Sequence, residues 1–159
     1  MPEEFLDIVD EENTPTGEVK PRSIVHENGL WHRTIHIHIL NPNGEFLVQK
    51  RSLLKDLSPG KLDLGVGGHI SSKQSIEEAA LNELSEEMGI STSLNNLFKG
   101  PVHKESFGKC SAFINRFYYV LYDDIKNLEF SDGEVEWVKW MQKDKIINDY
   151  DFLSHTMTA

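Results

Sequence analysis

Apolar and polar residues alternate along several stretches of the chain with the period of short β-strands. Isoleucines at 35, 37 and 39 are separated by His36 and His38, as in a strand with one apolar face. A turn at 41–44, Asn-Pro-Asn-Gly, leads to a second apolar run, so we expect a hairpin here. The same reasoning predicts strands at 34–40, 46–50, 113–122 and 137–140, and a short helix at 143–148.

A longer period, of three to four residues, predicts one helix that ends near residue 88. Ser75 followed three positions later by Glu78 forms a capping box, so the helix should begin at Ile76. Gly89 is the usual left-handed residue after a helix end. The apolar residues of this segment fall in one sector, which predicts its buried face: Ile76, Ala79, Ala80 and Leu84.

Three glutamates border that buried face. Glu83, Glu86 and Glu87 stand at i, i+3 and i+4, so they share one arc of the helix surface. Like charges at this spacing repel unless a cation neutralises them, and magnesium prefers carboxylate oxygens together with substrate phosphates. The alternative is a solvated acidic face, although such a face should lie opposite the apolar sector. Their position therefore favours a magnesium site.

The segment 67–90 resembles the Nudix box, whose pattern is GX5EX7REUXEEXGU with U aliphatic. The matching residues all have the required spacing: Gly68, Glu83, Leu84, Glu86, Glu87, Gly89 and Ile90. Two positions depart from the pattern, because Gln74 replaces a glutamate and Asn82 replaces an arginine. In the family these two residues are expected to pair and brace the loop against the helix. The resemblance therefore implies an amide–amide hydrogen bond between Gln74 and Asn82.

A wider resemblance, from about residue 7 to residue 141, is to the Nudix subgroup built on the plan of isopentenyl-diphosphate isomerase. It implies a single Nudix domain over residues 1–159, with an α/β/α sandwich fold and a mixed sheet. The subgroup contains both isomerases and hydrolases. Gly67 stands where the isomerase has its catalytic cysteine, and no carboxylate lies near Asn115, where the isomerase has a second acid–base residue. Because the helix glutamates are kept, the resemblance favours a hydrolase.

These residues predict a magnesium-dependent hydrolase of a small diphosphate, with manganese as the other cation. The predicted metal ligands are Glu83, Glu86 and Glu87. The predicted substrate-binding residues are the cations that precede the glycine-rich strand end and the glycines themselves: Arg51, Lys55, Lys61, Gly67 and Gly68. The base that activates water is left open among Glu86, Glu87 and Glu134, with Glu105 as a further candidate.

Histidines raise the question of a second metal. The resemblance places His26, His32 and His69 where the isomerase takes nitrogen ligands, and imidazole suits zinc or manganese. The two carboxylate ligands expected beside them are absent, which favours histidines that hold no metal. His36 and His38 are interpreted as the polar face of a strand near a cleft.

Composition restricts the partners. The chain has 159 residues and a formal net charge of −10, and no basic patch for nucleic acid is visible. No apolar run is long enough to span a membrane, and the acidic first residues do not resemble a targeting signal. The single cysteine, Cys110, fits a reducing compartment, so we expect a cytoplasmic protein. A homodimer is left open.

Two other classes of function remain as alternatives. One is a diphosphate isomerase of the prenyl type, against which Gly67 argues. The other is a binding module that keeps the metal and the ligand but turns over poorly, for which Gln74 and Asn82 argue. Products formed from a panel of diphosphates would separate the three classes.

Overall fold

The computed structural model describes residues 2–55, 59–130, 133 and 135–147. In chain order its main elements are β1 (Phe5–Val9), β2 (Pro15–Pro21), α1 (Arg22–Glu27), β3 (Trp31–Leu40), β4 (Phe46–Arg51), β5 (Leu62–Leu64), β6 (Val66–His69), α2 (Ile76–Met88), β7 (Leu97–Phe107), β8 (Cys110–Val120), β9 (Val135–Met141) and α3 (Lys143–Ile147). None of the helices within the described ranges has the length and apolar content needed to cross a membrane.

The main sheet is mixed, as predicted, and the described residues contribute seven strands to it. The strand order is β5-β4-β3-β8-β7, with β6 paired to β3 and β9 paired to β4. Strands β3 and β8 run parallel over their whole length, whereas the other pairs in this sheet are antiparallel. Strands β1 and β2 form a separate two-stranded sheet.

The predicted hairpin between β3 and β4 is present, but its strands soon separate. Leu40 pairs with Phe46 next to the turn. Further along β3, residues 34–37 pair with β6 instead, from Thr34 opposite His69 to Ile37 opposite Val66. The glycine-rich strand β6 therefore enters the gap between β3 and β4, and this insertion positions the glycines of the site.

One face of the sheet packs against α2. Its core combines the three isoleucines of β3 with Leu47 and the buried side of the helix, where Ala79, Ala80, Leu84 and Met88 lie. The predicted buried face of the helix is therefore confirmed. In contrast, Asn82 and Ser85 are exposed on the opposite side.

Two smaller clusters complete the layers. Val48, Leu62, Leu64 and Ile146 form one of them, which brings α3 against β4 and β5. Leu6, Ile8 and Val25 form the other, beneath the β1–β2 hairpin and α1. The result is the predicted sheet between helical layers.

The hydrophobic pattern did not predict β1, β2, α1, β5 or β7. Strand β2 has no fully buried residue, so it lacks the alternation on which strand prediction depends. Helix α1 has six residues, of which only Val25 is buried. Strand β7 is mostly exposed and pairs only with β8 among the described strands. These elements depend on tertiary contacts more than on a local period.

Candidate functional site

Helix α2 begins and ends where its capping residues predict. The Ser75 side chain accepts a hydrogen bond from the Glu78 backbone, and the Glu78 side chain accepts one from the Ser75 backbone. Gly89 has φ 66°, a left-handed conformation that favours glycine, and it closes the helix by backbone bonds to Leu84 and Ser85. The helix is thus fixed at both ends, which sets the direction of its glutamates.

The glutamates of the arc differ in burial. Glu87 is 7% exposed, Glu83 is half-buried and Glu86 is exposed. Gln49, itself 3% exposed, donates from Nε2 to Glu87 Oε2 at 3.4 Å and also to the Gly65 carbonyl. This amide therefore connects the buried carboxylate to the left-handed glycine that joins β5 to β6.

Glu83 lies directly against β6. A Cβ atom at Gly68 would overlap the carboxylate of Glu83, so only glycine lets this carboxylate come so close to the strand. A Cβ at Gly67 would point to the other face of the sheet, 3.1 Å from His36 Cδ2. Gly68, on the helix side, is therefore the glycine that shapes the acidic site.

The acidic arc fits a hard cation by its chemistry. Carboxylates of this kind suit magnesium, and an exposed ligand beside buried ones leaves room for water and substrate oxygens. The structure does not gather the acidic side chains around one point: over residues 2–55, 59–130 and 135–147, no group of three ligand atoms within 4.8 Å of one another includes them. Repulsion between like charges favours this separation when no cation is bound.

The predicted phosphate-binding cations lie on the connection between β4 and β5. The Arg51 backbone donates to the Lys61 carbonyl at 2.8 Å, so the two ends of the connection lie side by side. Arg51 and Lys55 are half-buried, and Lys61 is exposed. Gly67 and Gly68 follow three and four residues after the end of β5. Glu134, one of the predicted bases, lies outside the described residues, and Glu105 lies on the outer strand β7.

The predicted hydrogen bond between Gln74 and Asn82 is wrong. Gln74 Oε1 accepts from the Ser71 backbone at 3.1 Å, so its amide turns onto its own loop. Asn82 is exposed on the helix, and the described residues include no bond between the two. An uncharged side chain gains more from an unpaired backbone N–H nearby than from reaching across to a solvated amide.

His26, His32 and His69 come together, although the sequence favoured histidines without a metal. Their ligand atoms all lie within 4.8 Å of one another, and His26 Nε2 is 3.1 Å from His69 Nε2. His32 is 1% exposed, and its Nδ1 lies 2.9 Å from the Leu30 carbonyl, which can only accept. Nδ1 therefore carries the proton, and the buried Nε2 has no hydrogen-bond partner.

Two of the three histidines favour the neutral form. Burial lowers the pKa of His32; the hydrogen bond to the Leu30 carbonyl opposes this shift, and the positive charges of His26 and Arg22 add to it. Burial also lowers the pKa of His69 well below its usual value, helped by Arg22 and the two other imidazoles. Neutral imidazoles are the form that binds metal ions.

A second group of buried polar residues lies along β3. His36 Nε2 is 3.3 Å from Asp63 Oδ1, and the Arg116 guanidinium donates to His38 Nε2 at 3.0 Å. Both histidines therefore have polar partners on their face of the sheet, as interpreted from the alternation. Sequence reasoning missed Asp63, Arg116 and Gln49. The burial of Gln49 could have been predicted, because Gln49 lies two residues after the core residue Leu47 and therefore faces the same side of the strand.

Comparison with known proteins identifies the family. The NUDIX domain family matches residues 30–157, which are most of the chain. The chain therefore belongs to the NUDIX domain family. An uncharacterized Nudix hydrolase of Clostridium acetobutylicum is 46% identical over 110 residues, which are 67% of this chain and 52% of that protein. The chain thus spans about half the length of this relative.

Solved structures share the fold. The crystal structure of DR0079 from Deinococcus radiodurans has a TM-score of 0.77 at 21% identity and covers 98% of this chain and 96% of that one. The NUDIX domain of NrtR from Shewanella oneidensis, solved in complex with ADP ribose, has a TM-score of 0.62 at 15% identity, covering 77% and 80%. The mixed sheet with few helices is therefore a Nudix fold.

Proposed function

We propose that this chain is a metal-dependent hydrolase that cleaves a diphosphate linked to an organic group. The observation that carries the proposal is the acidic arc of α2 next to the two glycines of β6. Glu83 lies against Gly68, Glu87 is held by Gln49, and Glu86 faces solvent. Because these residues belong to the sequence pattern of the family, their chemistry and their position point to the same reaction.

Each group has a role in this mechanism. Glu83, Glu86 and Glu87 hold Mg²⁺ or Mn²⁺, which supplies charge neutralisation of the diphosphate oxygens and a lower pKa for water. Gly67 and Gly68 let the diphosphate approach the backbone closely. Arg51, at the end of β4, and Lys55 and Lys61, on the connection to β5, neutralise the phosphates that the cation does not reach.

The proton of the attacking water needs a carboxylate. Glu86 is the exposed member of the arc, so its carboxylate can contact water directly. Glu87 is buried beside Gln49 and suits a ligand role better. We therefore propose Glu86 ahead of Glu87 as the base within the helix, and Glu134 as the candidate outside it.

The test is metal-dependent turnover of a diphosphate panel. Nucleoside diphosphate sugars, ADP ribose and prenyl diphosphates are incubated with Mg²⁺ or Mn²⁺, and the products are identified by mass. Glu86→Gln and Glu87→Gln should each lower turnover by about 100-fold or more, whereas Glu77→Gln, on the same helix but off the arc, should not. Unchanged turnover in both arc variants would remove them from the mechanism.

ADP ribose is in the panel because it is bound to the structurally similar NUDIX domain of NrtR. That likeness concerns the fold, so for this chain a nucleoside diphosphate derivative is a proposal. We also propose membership of the isomerase-like subgroup of hydrolases, which the segments around His32 and Gly67 support. The panel identifies the substrate. It also separates a hydrolase of that subgroup from an isomerase, since an isomerase would convert a prenyl diphosphate without releasing phosphate.

We further propose that His26, His32 and His69 bind a second cation, Zn²⁺ or Mn²⁺. The support is the buried Nε2 of His32, which has no hydrogen-bond partner, next to His26 and His69, together with the lowered pKa of His32 and of His69. Three nitrogen ligands with an open fourth position are typical of zinc sites. Zn²⁺ should raise the melting temperature of the chelator-treated protein, and His69→Gln should abolish that rise while Glu86→Gln preserves it.

We propose that residues 1–159 form one Nudix domain, because the residues before the family match are hydrogen-bonded to residues within it. A cytoplasmic location is proposed from the use of a single cysteine, Cys110, which is exposed. A homodimer stays an open proposal. Light scattering of the purified chain would measure its state, and cell fractionation would locate it.

A further inference from the structure

The N-terminal unit of this chain, defined as β1, β2 and α1, lies before the segment that matches the family. That match begins at residue 30, whereas the unit spans residues 5–27. The unit nevertheless forms its own apolar cluster through Leu6, Ile8 and Val25. Its backbone is also tied together, because Arg22 donates to the Glu4 carbonyl at 2.8 Å. The unit therefore has its own apolar cluster and hydrogen bonds and can support a neighbouring segment.

That neighbour is the connecting segment 70–74, which leads from β6 to α2. Leu6 forms a β-bridge with Ser71, and the Ser72 backbone donates to the Phe5 carbonyl at 2.7 Å. The two serine hydroxyls add charge-assisted bonds, from Ser71 to Glu4 and from Ser72 to Asp7 Oδ1, the latter at 2.7 Å. The N-terminal residues therefore bind the segment through both backbone and side-chain hydrogen bonds.

The connecting segment sets the distance between Gly68 and helix α2, which together form the acidic site. Gly68 lies just before it and Ser75, which caps α2, just after it. The segment contains Lys73 at φ 69°, a left-handed conformation that is unfavourable for lysine and persists only where surrounding contacts impose it. The bond expected between Gln74 and Asn82, which would have braced the segment from the helix side, is absent from the described residues.

We propose that the N-terminal unit replaces this missing brace and positions the metal site, with Ser71 and Ser72 as the positioning residues and Glu4 and Asp7 as their partners. The inference rests on the proposed function, because it assumes that α2 binds a cation. The unit holds the segment, the segment holds Gly68 against the start of α2, and Glu83 then meets the strand at a fixed distance. When these bonds are lost, the segment 70–74 has to become ordered as the cation binds, and this lowers the affinity for the cation.

The first experiment measures hydrogen exchange of the whole chain by mass spectrometry. In the double variant Ser71→Ala with Ser72→Ala, amides of residues 70–74 should exchange about tenfold faster, as expected for lost hydrogen bonds to charged groups. Ser106→Ala is the matched control, since its hydroxyl contacts the Ser111 hydroxyl at 3.3 Å and it lies on the edge strand β7, which does not pair with β6. The control should leave residues 70–74 unchanged.

A double-mutant cycle tests the partnership directly. If Asp7 and Ser72 act through their mutual bond, Asp7→Ala and Ser72→Ala should each accelerate exchange at residues 70–74, and the combination should go little further than either change. Additive acceleration would show that the two side chains act independently and would contradict the partnership.

The second measurement is the Mg²⁺ concentration that half-protects amides of residues 83–88, which requires no turnover. In the serine double variant this midpoint should rise several-fold, while the melting temperature in chelator changes little. Unchanged exchange at 70–74, or faster exchange with the same Mg²⁺ midpoint, overturns the positioning role. If Mg²⁺ protects nothing in the unaltered protein, the metal site of the proposed function fails, and the exchange at 70–74 still reports whether the unit holds the segment.

Discussion

At the scale of single residues, the acidic site depends on an absent side chain as much as on those present. Gly68 carries no Cβ, and the Glu83 carboxylate occupies the space where one would stand. Glu87 in turn is buried beside Gln49, whose amide donates to its carboxylate. Two of the carboxylates thus lie against neighbours that have no charge of their own.

Alanine substitutions at the two adjacent glycines should have unequal effects. Gly68→Ala displaces the Glu83 carboxylate and should lower turnover by about ten- to hundredfold at limiting Mg²⁺, with partial recovery at high Mg²⁺. Gly67→Ala adds the same methyl group on the other face, 3.1 Å from His36 Cδ2 and 3.3 Å from the Ile35 carbonyl oxygen, and should cost less at limiting Mg²⁺ because it displaces no carboxylate. Turnover against Mg²⁺ concentration measures both. Equal losses would show that Glu83 is not the affected group.

The sequence predicted the three glutamates of the arc and not the residues that contact them. Glu83, Glu86 and Glu87 follow from helical spacing, which is a local property of the chain. Gln49 contacts Glu87 across 38 positions of sequence, and no local pattern specifies such a pair. The Gln74–Asn82 prediction failed for the same reason, because a nearer backbone donor was available to Gln74.

At the scale of elements, α2 is the part of the fold that its own sequence defines best. The capping box, the buried stripe and the left-handed Gly89 all agree, so predicted and observed bounds coincide at Ile76 and Met88. Strands β3, β4, β8 and β9 were found with shifted ends. The N-terminal unit and β7 were missed, since their few buried residues are fixed by contacts with distant strands.

The cap of α2 should be measurable as stability. Ser75→Ala removes the acceptor for the Glu78 backbone and should lower the free energy of unfolding by about 1 kcal/mol, or roughly 2–4 °C in melting temperature. Ser85→Ala makes the same chemical change at an exposed position inside the helix, where alanine is the better helix former, so stability should hold or rise slightly. Thermal unfolding followed by circular dichroism compares the two. Equal losses would contradict the capping role.

At the scale of the whole molecule, the insertion of β6 between β3 and β4 places different chemistry on the two faces of one strand. Gly68 faces α2 and its glutamates, whereas Gly67 faces His36 on the side where the polar residues of β3 lie. On that second side, His36 pairs with Asp63 and His38 with Arg116. Strand β6 therefore separates the acidic face, which we propose to hold cations, from a face of buried polar groups.

This arrangement predicts hydrolysis without isomerisation. Isomerisation of isopentenyl diphosphate needs groups that add and remove a proton at carbon, yet Gly67 has no side chain, and Asn115, on the strand where the isomerase has its second group, is an amide whose Nδ2 donates to the Thr34 carbonyl at 3.2 Å. Incubation with isopentenyl diphosphate in heavy water and Mg²⁺ should therefore give no deuterated dimethylallyl diphosphate by mass spectrometry. Cleavage of at least one diphosphate in the panel should still require the cation, because the helix carboxylates are in place. Deuterium incorporation with both phosphates retained would instead assign proton transfer to another residue, and His69, beside the glycines, would be the first to substitute.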